Sequence, residues 1–267
     1  MAVSFDVGSS GGTAAAVTTL TVAHTVAANA NSVLFVVGGR GEKADDSAIT
    51  LTCTYNGVSM TSVPSSKTHA NAGIVGFVEV FYIVLGTGDN TAHNIVLTTN
   101  SVLDGVFDDM TLIGASYYGV DQANPIGGTT TATGNSGSPA VTRASSTPNM
   151  LLFGFGCGSN FTANGQTLIA TVNQNQLTGC GTIQADRAAG AASVTCTETS
   201  GADSWAAVGI DIAAAAAATT GGQPSTFAGP GAVGPYARIQ VTGIDPQVVP
   251  DSYFPPWPPP NTTLWGM

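Results

Sequence analysis

The sequence predicts an all-β chain, an antiparallel β-sandwich followed by an extended proline-rich C-terminal arm. Three observations carry that expectation. Short runs rich in Val, Ile, Thr, Phe and Tyr recur as far as residue 212, each bounded by Gly, Asn, Asp, Ser or Pro. No segment shows the 3.6-residue apolar period of a surface helix. Beyond residue 212 the texture changes to Ala, Gly and Pro, and then to prolines mixed with aromatics.

The candidate strands follow in chain order. TTLTVAHTV (18–26), SVLFVVGG (32–39) and ITLTCTYN (49–56) come first, and Asn56-Gly57 after them is a two-residue hairpin signal. IVGFVEVFYIVL (74–85), HNIVLTT (93–99) and MTLIGASYYGV (110–120) follow. MLLFGFGCG (150–158), TLIATVNQ (167–174), GTIQADR (181–187), ASVTCTET (192–199) and WAAVGIDI (205–212) complete the series. An internal echo suggests two related halves: NSVLFVVGG (31–39) resembles NMLLFGFGC (149–157), and each half closes on Gly-Val-Asp (119–121) or Gly-Ile-Asp (209–211). Shared strand composition explains the same letters.

The domain organisation expected is a sandwich over 1–212, a linker over 213–235 and an arm over 236–267. The linker is Ala, Gly and Pro without the apolar bulk of a core. The arm carries Pro246, Pro250, Pro255, Pro256, Pro258, Pro259 and Pro260, which forbid a helix or a central strand and favour an extended polyproline II path. Its apolar side chains, Tyr236, Ile239, Val241, Ile244, Tyr253, Phe254, Trp257, Leu264 and Trp265, form an adhesive set in need of a surface. Two surfaces answer that need. The arm either covers an edge of its own sandwich or lies across a sister subunit or another protein, with Trp and Tyr as anchors. The second is favoured, because a pre-extended segment loses little entropy on binding.

Composition excludes several partners. Charged residues make up 8% of the chain, where roughly 25% is usual. With six Lys and Arg and a net charge of −10, no basic patch is available for nucleic acid or an anionic membrane. No apolar run reaches the length of a membrane-spanning helix, and the start, MAVSFDVGSSGG, lacks a secretory leader pattern. A soluble protein is expected, one that either does not use that export route or has had its start removed.

Residues with chemical potential are scattered. Cys53, Cys157, Cys180 and Cys196 have no metal-ligand spacing; a Cys157–Cys180 disulfide is conceivable, and buried free thiols are favoured. His24, His69 and His93 sit in or beside different strands and read as structural. Asp45, Asp46, Asp89, Asp104, Asp108 and Asp109 offer oxygen ligands for calcium, but turn aspartates need no ion to explain them. Glu79 and Glu198, the strand glutamates, are expected on a solvated face rather than as a glycosidase pair. GSSGG and GNSGS read as loops; GNSGSP lacks the aspartate of a serine-protease nucleophile loop. Adjacent Tyr117 and Tyr118 point to opposite faces and make no sugar-stacking platform, and Trp205 is expected in the core. No catalytic residue, metal ligand or cofactor site is assigned.

The succession SFDVGSS, LTVAHTV, SVLFVVGG, TCTYNGVSMT, FYIVLGTGDNTAHNIVLT and ASYYGVDQANPIG resembles jelly-roll-like β-sandwich domains of tailed-bacteriophage structural proteins. The likeness spans about residues 3–213, with YNGVSMT and GVDQANPIG its most specific pieces. It implies a jelly-roll-like fold and a non-enzymatic virion component, most concretely a head decoration protein assembled in the host cytoplasm. Its partners would be the major capsid protein or other virion subunits and copies of itself, by family analogy as a trimer. The alternatives are a tail or fibre component that binds host-surface carbohydrate, and a secreted lectin-like module.

Overall fold

The computed structural model describes residues 1–13, 15–41, 47–70, 76–103, 108–162, 165–174 and 180–217. Among them are β1 (Ser4–Thr13), β2 (Thr19–Thr25), β3 (Ala30–Gly41), β4 (Leu51–Tyr55), β5 (Val58–Ser59), β6 (Thr61–Ser62), β7 (Thr68–His69), β8 (Phe77–Thr87) and β9 (Ala92–Thr99). β10 (Asp109–Tyr118), β11 (Ile126–Gly134), β12 (Ala140–Arg143), β13 (Met150–Cys157), β14 (Thr167–Asn173), β15 (Thr182–Ala189), β16 (Val194–Thr197) and β17 (Trp205–Ile212) follow. No α-helix occurs among the described residues. The linker from 218 onward, the whole arm, and Asp45, Asp46 and Asp104 lie outside the described residues.

The strands make four sheets, stacked in layers. Sheet I is β2-β9-β4-β5, sheet II is β1-β10-β3-β8-β6 with β7 also on β8, sheet III is β11-β17-β13-β15-β14, and sheet IV is β12-β16. All pairings are antiparallel. Leu34, Val36, Leu51, Ile95, Leu97 and Leu112 fill the space between sheets I and II. Phe35, Val37, Val80, Ile113, Tyr117, Leu152, Ile183 and Val208 fill that between II and III. Leu151, Phe153, Phe155, Val141 and Cys196 lie between III and IV.

This layering explains two kinds of strand. β2, β4 and β9 alternate buried with accessible residues, because sheet I has one face on a core and one in water. In contrast, β3, β10, β13 and β17 are buried almost without a break, because sheets II and III are covered on both faces. Each large apolar side chain so buried contributes roughly 1.5–3 kcal/mol.

The expected jelly-roll order is present. If β8, β9 and β10 are taken as the sixth, seventh and eighth strands of the first half, sheet II runs first, eighth, third, sixth, and sheet I runs second, seventh, fourth, fifth. The second half repeats this with β11-β17-β13-β15 against β12-β16, but places β14 on the outer edge of sheet III and, among the described residues, has no further strand in sheet IV. Residues 4–212 therefore form two jelly rolls packed through their larger sheets, the second one abridged.

The sequence echo does not carry that repeat. It aligns Phe35 with Phe153, yet Phe35 faces the II–III interface and Phe153 faces sheet IV. An odd offset puts every side chain on the wrong face, so the repeat resides in topology and the shared letters reflect strand composition.

All eleven expected strands are present; of 74–85 the described part begins at Gly76, and β8 at Phe77. The Asn56-Gly57 turn is as expected, with positive φ at both residues (51° and 74°) and Tyr55 paired to Val58. GNSGS is a turn, but GSSGG is a correction: it is the middle of β1, an edge strand wedged between two layers. A Cβ on Gly11 would lie 2.6 Å from Val22 of sheet I, and one on Gly8 2.8 Å from Ile169 of sheet III. Glycine is required there by close approach. GVDQANPIG is the crossover between the jelly rolls: Asp121 Oδ1 accepts from the Ala123 and Asn124 amides, Val120 bridges Ala214, and Pro125 O accepts from Ala213 N.

Candidate functional site

The most unusual chemistry lies between sheets III and IV. β15 alternates strictly. Ile183 and Ala185 face sheet II, while Gln184 and Asp186 face sheet IV. Opposite them, Cys196 of β16 points inward, and Glu198 continues the same face just past the strand end. Asp186, Cys196 and Glu198 are wholly buried, and one ligand atom from each lies within 4.8 Å of the others.

One amide joins the acids. Gln184 Nε2 donates to Asp186 Oδ2 (3.1 Å) and to Glu198 Oε2 (2.5 Å). The Cys196 thiol donates to Glu198 Oε1 at 3.1 Å and stands 4.0 Å from Asp186 Oδ2. Gly165 N donates to Glu198 Oε1 at 3.0 Å, and Thr171 Oγ1 donates to Gln184 Oε1 at 3.1 Å. Among the described residues no Lys or Arg pairs with either carboxylate; Arg187 lies on the other face of β15, its guanidinium 4.4 Å from the Phe5 ring centre. Burial, followed by the hydrogen bond to Glu198, therefore pushes the Asp186 carboxyl far above the usual carboxylate range. Burial and then Glu198 likewise push the Cys196 thiol up. Such a cluster holds shared protons or a cation, because two ionised carboxylates cannot persist unpaired in so dry a place.

Two surface recesses accompany it. One of about 220 Å³ lies at the end of sheets I and II, lined by Tyr55, Val58, Ile83, Leu85, Asp89 and His93. There His93 Nε2 meets Asp89 Oδ2 at 2.6 Å, and this bond, with the Thr91 amide, holds the exposed Asp89 carboxyl below its ordinary range. The other, about 430 Å³, is bounded by Pro64, Tyr82, Asn124, Pro125 and Ile126 beside the crossover.

The structure distributes the residues picked out from sequence as follows. The arm residues Tyr236 to Trp265 lie outside the described part. His24 is buried and bonded through Nδ1 to Ser9 Oγ at 2.8 Å; His69 packs on Phe77, their ring centres 5.3 Å apart. All four cysteines are buried thiols, and none is in a disulfide. Asp108 is ion-paired with the fully buried Arg40 at 3.1 Å, and Asp109 is buried beside it in sequence. Tyr117 is core and Tyr118 is half-buried on the opposite face; Trp205 is core. The two glutamates are a correction. Glu79 is almost buried and accepts from Ser62 Oγ at 2.6 Å, and Glu198 is wholly buried. Both were expected on a solvated face, but Glu79 lies in doubly covered sheet II and Glu198 lines the III–IV interior. Sequence reasoning missed Gln184 and Asp186 altogether, and it expected Cys196 as a buried thiol without foreseeing that it meets two acids. The available signal was an aspartate inside a strand, where Asp is depleted, in a chain with so few charges.

No protein-family profile, no characterised protein and no solved structure matches the chain. The likeness to phage structural proteins finds no support there.

Proposed function

We propose that this is a non-enzymatic structural protein that joins an assembly through its C-terminal arm, most concretely a bacteriophage head decoration protein. The observation that carries the reading is the order of the chain. The four sheets draw their strands from residues 4–212, and the segment bearing Tyr253, Phe254, Trp257, Leu264 and Trp265 comes after them. Stiffened by proline and rich in aromatic anchors, it has the chemistry of a segment that binds an extended groove on a sister subunit or a capsid protein. The hydroxyl- and amide-rich surface of the sandwich suits a particle exterior, and the likeness carried by YNGVSMT and GVDQANPIG favours a virion.

The test is mass in solution by light scattering for the full chain and for a chain ended after residue 219, each with and without phage capsid shells. The reading expects the full chain to oligomerise or bind shells, and the shortened chain to do neither. Equal masses and no shell binding by either would overturn it. Recognition of a host-surface glycan is a second reading, favoured by one feature: the recess at Tyr55, Asp89 and His93 pairs aromatic edges with a carboxylate. A glycan array on the shortened chain tests that reading.

A further inference from the structure

We propose that Asp186, Cys196 and Glu198, with the side-chain amide of Gln184, form a structural divalent-cation site that fastens sheet IV to sheet III, independently of what the arm binds. The donors come from two facing sheets, converge in the interior, and combine a thiol with two carboxylates. A second observation points the same way: Asp186 Oδ1 is wholly buried and has no hydrogen-bond partner among the described residues. A buried carboxylate oxygen left without a donor calls for a partner, and a bound cation supplies one.

The donor set selects the ion. Calcium takes six to eight oxygens and magnesium prefers an oxygen octahedron with waters, and neither suits a thiol in a dry cage. Zinc takes four ligands, thiolate and carboxylate oxygen among its usual donors, at bond lengths that place tetrahedral ligand atoms about 3.3–3.8 Å apart. The Cys196 Sγ distances of 3.1 Å to Glu198 Oε1 and 4.0 Å to Asp186 Oδ2 bracket that spacing. Turning the Gln184 amide end for end, an exchange of O and N that heavy-atom positions do not distinguish, supplies a fourth donor, the third oxygen. Its NH₂ group then faces Thr171 Oγ1, which accepts instead of donating. Binding expels the thiol proton and any proton shared by the acids. The Gly165 amide stays on Glu198 to offset the remaining negative charge.

The fold gives such a site a purpose. Sheet IV has two strands of four residues each, too little to be stable alone, whereas its counterpart sheet I has four strands. A cation shared by β15 and the end of β16 replaces the missing apolar area. Since the site is closed to solvent, the ion enters during folding.

The experiment uses the full chain, unfolded in denaturant with a chelator and refolded with Zn²⁺, with Mg²⁺ or with chelator alone. The expected result is one retained zinc per chain by mass spectrometry and an unfolding temperature raised by Zn²⁺ and not by Mg²⁺. Refolding with Co²⁺ is expected to give a thiolate charge-transfer band that is lost in Cys196→Ser and kept in Cys53→Ser. Absence of retained zinc with no change in unfolding temperature would overturn the proposal and leave a proton-sharing pair. Survival of the cobalt band in Cys196→Ser would overturn it equally. If Cys196→Ser does not fold, the zinc content and the Zn²⁺/Mg²⁺ comparison on the unaltered chain decide.

Discussion

The two jelly rolls meet the same packing problem with different materials. In the N-terminal one, sheet I closes on sheet II over Leu20, Leu34, Val36, Leu51, Ile95, Leu97 and Leu112. Among its buried charges, Arg40 and Asp108 pair with each other at 3.1 Å, and burial drives His24 down to about 4, so that it packs as a neutral ring. In the C-terminal one, sheet IV is half as wide, and the aromatic core around Phe153 and Phe155 gives way to Gln184, Asp186, Cys196 and Glu198. The lesson is that a jelly roll can lose two strands of its smaller sheet if directional contacts replace lost apolar area. Directional contacts depend on protons or ions, and area does not.

The comparison can be broken at its shared seam. Phe35 sits between sheets II and III and contacts the rings of Tyr82 and Tyr117. Phe35→Ala should cost about 3–5 kcal/mol in denaturant unfolding. Both jelly rolls should be lost in one transition, because the seam belongs to both. Two separated transitions would show that the halves fold independently.

Acid should weaken the N-terminal half specifically. His24 has its folded pKa lowered from 6.5 to about 4, chiefly by desolvation, against a raising influence from Asp6. Between those values the unfolded chain binds the proton and the folded chain does not, so stability is present above about pH 6.5 and lost as the pH falls toward 4. The loss should approach about 3 kcal/mol, from roughly 1.4 kcal/mol per pH unit. His24→Gln should flatten that part of the stability profile; an unchanged slope would place the acid sensitivity elsewhere.

Glu198→Ala strips partners from Gln184, Cys196 and the Gly165 amide. It should cost about 1–3 kcal/mol, and more than Cys53→Ala, whose thiol makes only weak contacts with Met60 and Thr54. An equal or smaller cost than Cys53→Ala would remove the asymmetry argued above. The smallest effect is expected at the I′ turn. Gly57→Ala meets no atom within 4 Å but must keep φ at 74°, and should cost about 1 kcal/mol in thermal unfolding.

Legibility in the sequence followed the number of layers. Strands such as β2 and β9 announce themselves by alternation, and Asn56-Gly57 by its turn chemistry, since these depend on local rules. β3 and β17 were legible as strands from their apolar runs, but not as strands covered on both faces; for that reason Glu79 and Glu198 were misplaced. β1 and β11 were missed because Gly, Ser and Thr fill them, a composition imposed by close neighbours distant in sequence, Val22 and Ile169 for β1 and Asp211 and Trp205 for β11. The buried cluster was hidden for the same reason. Q-A-D in β15 and C-T-E at β16 look like polar-out alternation until a second sheet covers them.

The most direct test of the account is hydrogen exchange followed residue by residue in the native chain and in Glu198→Ala. If polar contacts hold sheet IV and apolar area holds sheet I, the substitution should speed exchange in β12, β16 and β14. The amides of β3, β8 and β10, and those of sheet I, should keep their protection. Uniform acceleration across both jelly rolls, or none in β12 and β16, would contradict the claim that the two halves are held by different means.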